Sequence, residues 1–170
     1  MENRPKDDEA LPIIKVVGVS ASGKSTLVTG LRRAGYNARP VSQEHSQIAT
    51  LWQEFDPTAA LIYLETNLET QQQRRTDVSW DRQWLQSERE RLTHARDHAD
   101  LKIDTSALTP EKVLRIAELF LTKQKLRKSD HSLPPLAATG SWQPPTPTEE
   151  SPSAAESAPI NSKKRKRKRQ

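Results

Sequence analysis

Short apolar runs alternate with amphipathic stretches along most of the chain. Residues 13–17 are a β-branched run that predicts a buried strand, and residues 59–64 are a second apolar run of the same kind. Residues 38–42 predict a strand whose Pro40, which lacks an amide hydrogen, belongs at a sheet edge. Residues 101–104 predict a short last strand. Strands separated by helical segments indicate an α/β protein.

Apolar residues at helical spacing lie between these strands. A helix is expected to begin at Lys24 and to end before Gly35, which supplies a left-handed stop. A short helix is expected over residues 45–54, closed by Pro57. Residues 67–99 are polar and rich in arginine, which predicts one broken helix or two successive helices.

The last predicted helix has the clearest pattern. Thr109 is placed to cap it and Pro110 occupies its first position, where proline loses nothing by lacking an amide hydrogen. This helix is expected to pack on the sheet through an apolar stripe at helical spacing. The stripe consists of Val113, Ile116, Ala117, Phe120 and Leu121.

Composition divides the chain into a compact part and polar ends. After residue 128 the chain is dominated by Pro, Ser, Thr, Ala and Glu, which cannot bury enough apolar area to offset chain entropy. We therefore expect a disordered lead over residues 1–10, one domain over residues 11–128 and a disordered tail over residues 129–170. The tail ends in seven consecutive basic residues, Lys163 to Arg169, and accounts for most of the net charge of +5.

The chain contains no cysteine, which excludes disulfides and thiolate metal sites and is typical of a cytosolic protein. Residues 1–10 are charged, and no apolar run approaches the roughly 20 residues that span a bilayer. We therefore expect a cytoplasmic protein without a transmembrane segment. The terminal basic run leaves a nuclear or nucleoid-associated location open.

One motif carries chemistry. Residues 18–25 read Gly-Val-Ser-Ala-Ser-Gly-Lys-Ser and match G-x-x-x-x-G-K-[ST], between a predicted buried strand and a predicted helix. The glycines let the loop fold back so that backbone N–H groups and the helix N-terminus point at phosphate oxygens. Lys24 is expected to reach the β and γ phosphates of a nucleotide, and the Ser25 hydroxyl is expected to ligate Mg²⁺. The expected nucleotide-binding residues are Gly18, Ser20, Ala21, Ser22, Gly23, Lys24, Ser25 and Thr26.

Two alternatives stay open at this motif. A Gly/Ser turn that merely joins a strand to a helix would give the same letters, although both flanking patterns argue against it. Thr26 contacts the α phosphate or simply begins the helix.

With this motif and its flanks, the chain resembles the P-loop kinases of nucleotides and small metabolites, such as thymidylate, adenylylsulfate and gluconate kinases. The resemblance covers about residues 11–122. Residues 13–26 look like the family's first strand and loop, residues 61–65 look like its hydrophobic strand ending in an acid, and Arg74 and Arg75 fall where its arginine-bearing lid begins. The resemblance implies a three-layer P-loop NTPase fold with a parallel sheet in the order 2-3-1-4-5, an arginine-rich helical lid, and ATP with Mg²⁺ as ligands.

The resemblance also suggests roles beyond the loop. Glu65 would end a strand next to the loop strand and hold a Mg²⁺-bound water, although the family more often has Asp there and an ordinary strand-end acid is the alternative. Arg74 or Arg75 would swing over the triphosphate and neutralise charge during transfer. The later arginines are interpreted as a solvated face. Arg89, Arg91 and Arg96 would pair there with Glu88, Glu90 and Asp97.

Candidates for acceptor chemistry follow the second predicted strand. Ligands of open α/β sheets bind beyond the carboxyl ends of the strands, which makes Glu44 a candidate for activating an acceptor hydroxyl. His45 either binds substrate or caps the helix expected after it. Three tryptophans either stack on an acceptor ring or fill the core, and they are Trp52, Trp80 and Trp84.

Three functions fit this pattern. The first is an ATP-dependent kinase that transfers the γ-phosphate to a small nucleotide-like or metabolite acceptor. The second is a polynucleotide or RNA kinase whose basic tail concentrates the acceptor. The third is a non-catalytic nucleotide sensor or interaction module. The basic run would also suit an anionic membrane surface, a nuclear import receptor or a solubilising role without a partner.

Overall fold

The computed structural model of the protein describes residues 11–137. The predicted lead over residues 1–10 and most of the predicted tail, including the basic run from Lys163 to Arg169, lie outside the described residues. The elements follow in the order β1 (Ile13–Gly18), α1 (Lys24–Arg33), β2 (Asn37–Pro40), β3 (Ala60–Glu65), α2 (Leu68–Arg74), α3 (Arg82–Arg91), α4 (Thr93–His98), β4 (Leu101–Asp104) and α5 (Pro110–Lys123).

The four strands form one parallel sheet in the order β2-β1-β3-β4. The predicted α/β class and parallel sheet are confirmed. Pro40 ends the edge strand β2, as its missing amide hydrogen predicts. The strand order implied by the resemblance is wrong for the described chain, because β1 lies between β2 and β3 and β4 adjoins only β3. The strand that ends in Glu65 nevertheless adjoins the loop strand, as expected.

Helices cover both faces of this sheet because each buried strand is apolar on both sides. Ile14 and Val16 of β1 share a core with α1 and α5, whereas Val17 shares a second core with residues of α3 and α4. The predicted docking of α5 is confirmed by three buried residues, Val113, Ala117 and Leu121. Ile116 of the predicted stripe is exposed instead.

Helix ends follow local capping chemistry where the sequence offers it. The Thr109 hydroxyl accepts a hydrogen bond from the backbone N–H of Lys112, as predicted for the start of α5. Gly35 has a φ of +96° just after α1, which confirms the predicted left-handed stop.

The helix predicted over residues 45–54 is wrong. That segment forms two short 3₁₀ turns instead, Gln43–His45 and Leu51–Gln53. Side chains outside the predicted helix bond to backbone N–H and C=O groups of this segment. These bonds take the place of the hydrogen bonds that a helix would make. The buried Gln43 amide bonds to Ile48 O and to the Trp52 N–H, and the Lys15 ammonium bonds to three carbonyl oxygens, those of Trp52, Glu54 and Asp56.

Residues 67–99 form three helices, where one or two were predicted. Asn67 caps α2 by accepting from Thr70 N, and Asp81 caps α3 by accepting from Trp84 N. The first cap begins the segment's helices and the second restarts the chain as a helix after α2, whereas α4 begins without a side-chain cap. Leu92 alone separates α3 from α4, and its side chain is buried against the sheet.

Residues beyond α5 pack against the C-terminal end of α1. Ser129 N donates to Gly35 O, Leu133 N donates to Arg32 O, and Leu133 is buried. Among the described residues, no helix combines the length and apolar character that a membrane span requires.

Candidate functional site

The loop between β1 and α1 is held closely against β3. A Cβ atom on Gly18 would lie 2.3 Å from the carbonyl oxygen of Leu64, so only glycine allows this approach. The N–H of Val19 donates to that same oxygen at 3.3 Å. Gly23 has a φ of +97° and forms the N-cap of α1. The loop therefore lies directly against β3 and leads through Gly23 into α1.

Lys24 is fixed at the base of the loop. Its ammonium donates to the carbonyl oxygens of Gly18 at 2.8 Å and Val19 at 3.2 Å. The same ammonium lies 2.6 Å from a carboxylate oxygen of Glu44, whose side chain is only 3% exposed. The structure thus brings together the motif lysine and the acid that follows β2, which lie 20 residues apart in the sequence.

Glu88 of α3 makes the most complete set of contacts to the loop. Its buried carboxylate accepts hydrogen bonds from the Ser20 N–H at 3.0 Å and from the Ser20 hydroxyl. The indole N–H of Trp84 donates to it at 3.1 Å, and the Gln71 amide donates at 3.4 Å. A buried carboxylate is costly unless its lone pairs are satisfied, and these four donors satisfy it, since no ion pair joins it to a cation within residues 11–137. We call the group of Glu44, His45, Gln71, Glu88 and Arg91 the ionic side of the loop.

Burial also affects the pKa of His45 within the ionic side. Removal from water lowers the pKa of this imidazole, and the nearby cations Lys24 and Arg91 lower its pKa further, against the opposing effect of Glu88. His45 Nε2 lies 3.6 Å from Glu44. Arg91 donates to the backbone oxygen of Glu44 at 3.1 Å and so fixes the turn that carries both residues.

The other flank of the loop is an open pocket of about 330 Å³. It lies on the α1 and α5 face of the sheet and begins at the N-terminal turn of α1. Arg74 lies at its edge and donates to Ala21 O at 2.9 Å and to Thr105 O at 2.7 Å. We call this flank the pocket side. Its lining residues are Ser22, Gly23, Thr26, Leu27, Arg74, Thr105, Leu108, Pro110 and Val113.

The two predicted lid arginines differ in their contacts. Arg74 touches the loop directly, whereas Arg75 forms an ion pair with Asp77 at 2.8 Å. Arg89, which was interpreted as part of a solvated face, instead pairs with Glu65 at 2.8 Å. That interpretation is also wrong for Glu88, which is buried and bonded to the loop.

The two predicted metal-binding residues have different surroundings. Ser25 is exposed at the first turn of α1, and no described residue hydrogen bonds to its hydroxyl. Glu65 accepts hydrogen bonds on both carboxylate oxygens, from Arg89 and from Tyr63. A cation bound directly by Glu65 would face the Arg89 guanidinium, so the donor set fits Mg²⁺ at Ser25 better than at Glu65. Within residues 11–137 no group of three or more His, Cys, Asp or Glu residues could hold a metal ion.

The tryptophans do not form an acceptor platform together. Trp52 is buried in the core under α3 and α4 and donates to His94 at 3.1 Å. Trp80 is buried as well. Trp84 is half-buried and holds Glu88, so its contact to the site is indirect.

Sequence reasoning missed Glu88, Gln71 and Thr105. Thr105 follows the last strand, and its hydroxyl donates to Ser22 O at 2.8 Å. The signal for Glu88 was present in the helical register, because it lies between Leu85 and Leu92 on the buried face of α3. An acid within an apolar stripe is expected to have a buried partner. Gln71 gave no comparable signal, since α2 contains a single apolar residue, Leu68, and so shows no apolar stripe.

Comparison with known proteins adds no family to this geometry, because no protein-family model and no curated protein sequence matches the chain.

Proposed function

We propose that this chain is a kinase that binds ATP with Mg²⁺ at residues 18–25 and transfers the γ-phosphate to a small-molecule acceptor. The observation that carries the proposal is the position of Lys24. Its ammonium is fixed at the base of a glycine-bounded loop, at the start of a helix and 2.6 Å from the buried Glu44 carboxylate. A cation for phosphate and a carboxylate for proton transfer therefore meet at one end of the sheet.

The pocket side supports a nucleotide as the donor substrate. Its walls combine apolar groups of Leu108, Pro110 and Val113 with the polar start of α1. A nucleobase packed on those apolar walls would place its phosphates at the N–H groups of the loop, which the helix dipole favours. The Arg74 guanidinium lies beside the same loop and would add positive charge to the phosphates.

A buried orphan atom in the loop supports the same proposal. The Ser22 hydroxyl is buried and has no hydrogen-bond partner among residues 11–137. Buried hydroxyls in folded proteins are almost always paired, so a phosphate or nucleotide ligand would supply what this one lacks.

Mg²⁺ would be held by the Ser25 hydroxyl, whose oxygen is the hard donor type that this ion prefers. Bound there with the nucleotide, the ion would neutralise part of the phosphate charge. Glu65, paired with Arg89, would fix the position of that guanidinium near the strand ends.

Glu44 is placed to act on the acceptor. An acceptor hydroxyl that lies against Glu44 would pass its proton to the carboxylate. Its oxygen would then form a bond to the γ-phosphorus as the bond to the bridging oxygen breaks and ADP leaves. Lys24 and Arg74 would stabilise the charge on the transferring group, so catalysis would come mainly from positioning and electrostatics.

The decisive experiment compares Lys24→Ala with Lys102→Ala. Lys102 is an exposed lysine on the edge strand β4 and serves as the matched control. We expect Lys24→Ala to lower Mg²⁺-dependent ATP turnover by about 100-fold or more, because it removes a charge that contacts the transferring phosphate. Turnover is measured with ATP labelled at the γ-phosphate, and ATP binding is measured by calorimetry.

Unchanged turnover in Lys24→Ala would exclude the proposed catalytic site. ATP binding without transfer to any member of a broad acceptor panel would instead favour the non-catalytic sensor.

A further inference from the structure

The pocket side is lined by two kinds of residue. Ser22, Gly23 and Thr26 belong to the loop and the first turn of α1, and the buried Ser22 hydroxyl has no hydrogen-bond partner among residues 11–137. The other kind supplies apolar side chains, and we call these residues the apolar wall. The apolar wall consists of Leu27, Leu108, Pro110 and Val113.

The size and polarity of the pocket side suit a nucleotide. Its volume of about 330 Å³ falls in the range of small-molecule pockets, roughly 300–1,000 Å³. Nucleotides have polar phosphates at one end and a base with a flat apolar face at the other. Phosphates at the loop would therefore leave the base against the apolar wall.

The backbone N–H groups of the apolar wall are already used. Leu27 and Val113 donate theirs to carbonyl oxygens four residues earlier, at 2.9 Å and 3.1 Å. Leu108 N donates to Thr105 O at 3.2 Å, and Pro110 has no N–H group. The side chains of these residues contain no polar atom. The apolar wall therefore presents no free hydrogen-bond donor to a base.

The two remaining polar side chains of the pocket side are bonded to the protein. Arg74 donates to Ala21 O, to Thr105 O and to the Thr105 hydroxyl. The Thr105 hydroxyl in turn donates to Ser22 O at 2.8 Å. These bonds fix both side chains beside the loop, where they would face the phosphates of a nucleotide and not its base.

Nucleobases differ in the hydrogen-bonding groups on their edges. Adenine and cytosine carry an amino donor where guanine and uracil carry a carbonyl oxygen. A wall without free donors gives no hydrogen bond to those carbonyl oxygens. A backbone carbonyl oxygen at the wall would add one hydrogen bond to an amino group, which changes affinity by about tenfold or less. Apolar contact discriminates between similar ligands far less than paired polar groups do.

These contacts point to the class of the donor substrate. We propose that the pocket side accepts purine and pyrimidine bases alike, so that the chain uses any ribonucleoside triphosphate as its phosphate donor. This inference rests on the proposed kinase function and specifies its donor. The triphosphate is recognised at the loop, and the base contributes burial of apolar surface, which all four bases share.

The test measures binding to the full chain by calorimetry, with Mg²⁺ present throughout. The ligands are ATP, GTP, CTP, UTP and tripolyphosphate, which has no base. We expect the Kd values of the four nucleotides to lie within about 30-fold of one another, with the two purines binding more tightly. Tripolyphosphate should bind about tenfold or more weakly than ATP, because it leaves the apolar wall uncovered.

A matched pair of variants tests the apolar wall. Leu108→Ala shortens a wall side chain, and Leu119→Ala changes a leucine of α5 that is 60% exposed and does not line the pocket side. We expect Leu108→Ala to weaken all four nucleotides by a similar factor of about fivefold, with tripolyphosphate within about twofold of its wild-type Kd. Leu119→Ala should leave all five values unchanged, and thermal unfolding of each variant confirms that it folds.

The outcomes separate this inference from the proposed function. Failure of all five ligands to bind the wild-type chain would contradict the proposed function itself. If MgATP binds, a preference for one base above about 30-fold overturns the inference about the donor. Equal binding of ATP and tripolyphosphate overturns it as well, because the base would then gain nothing from the apolar wall. Selective loss of a single nucleotide in Leu108→Ala would also contradict it.

Discussion

The pocket side and the ionic side flank one loop but differ in the polarity of the side chains that form them. The pocket side is open and is walled by apolar groups of α1 and α5, with one arginine at its edge. The ionic side is closed around Ser20 and Lys24 by buried charged and amide side chains of the 3₁₀ turn, α2 and α3. A ligand of the pocket side would gain mainly from burial of apolar surface, whereas a ligand of the ionic side must supply specific hydrogen bonds.

This contrast predicts where mutations will act on stability and where they will act on binding. Buried charges are costly and their partners are fixed in number, so a change in the ionic side should first be seen as lost stability. On the pocket side, Arg74 and Thr105 bond mainly to backbone oxygens, and no buried carboxylate is involved among the described lining residues. A change there should be seen in nucleotide affinity, with little effect on the fold.

The largest stability effect is expected from Glu88→Gln. The Trp84 indole N–H donates to one carboxylate oxygen, and the Ser20 N–H and the Gln71 amide donate to the other, so an amide nitrogen at either position would leave a donor unpaired. We expect the free energy of unfolding to fall by about 1–3 kcal/mol, measured by urea denaturation.

Glu90→Gln is the control for this change, because Glu90 is exposed on the same helix and accepts a hydrogen bond from the exposed Gln86. Its unfolding free energy should stay within about 0.5 kcal/mol of the wild-type value. Equal losses in the two variants would contradict a special role for Glu88.

A smaller effect, in binding, is expected from Arg74→Ala on the pocket side. Loss of the guanidinium beside Ala21 O should weaken MgATP binding by about tenfold, which corresponds to about 1.4 kcal/mol. The matched control is Arg75→Ala, because Arg75 is the adjacent arginine and pairs with Asp77 outside the loop. Calorimetric titration of both variants checks the difference. If Arg75→Ala weakens binding as much as Arg74→Ala does, the assignment of Arg74 to the pocket side is wrong.

The smallest effect is a pH dependence from His45. Its pKa is lowered in the folded state, mainly by burial, so the folded chain binds this proton less readily than the unfolded chain does. The corresponding stability is present above the unfolded pKa of roughly 6.5 and is lost progressively as the pH falls below it.

His45→Gln should therefore lose less stability than the wild type between about pH 7.5 and pH 5.5. Urea denaturation at several pH values measures this, with Glu44, Glu88, Lys24 and Arg91 left unchanged as the charged groups nearby. Parallel pH profiles for wild type and variant would show that His45 does not contribute.

Local pattern was sufficient for much of the fold. The apolar runs of β1 and β3, the cap and proline of α5 and the left-handed Gly35 each carry their information within a few residues, and the structure has them as predicted. The segment over residues 45–54 was mispredicted because Gln43 and Lys15 satisfy its backbone from outside any helical register. Such side chain to backbone bonds leave no periodic trace in a sequence.

The candidate site likewise has features that local sequence predicts and features that depend on tertiary contacts. The sequence by itself determined the loop over residues 18–25, its place between a strand and a helix, and the candidacy of Glu44, because motif and strand ends are local features. The candidacy of Arg74 or Arg75 came from the family resemblance. Only the tertiary structure decided that Glu44 meets Lys24, that Arg74 and not Arg75 touches the loop, and that Glu88 is a buried partner of Ser20. Those contacts join residues 20 to 68 positions apart, and their partners are set by how the helices pack on the two faces of the sheet.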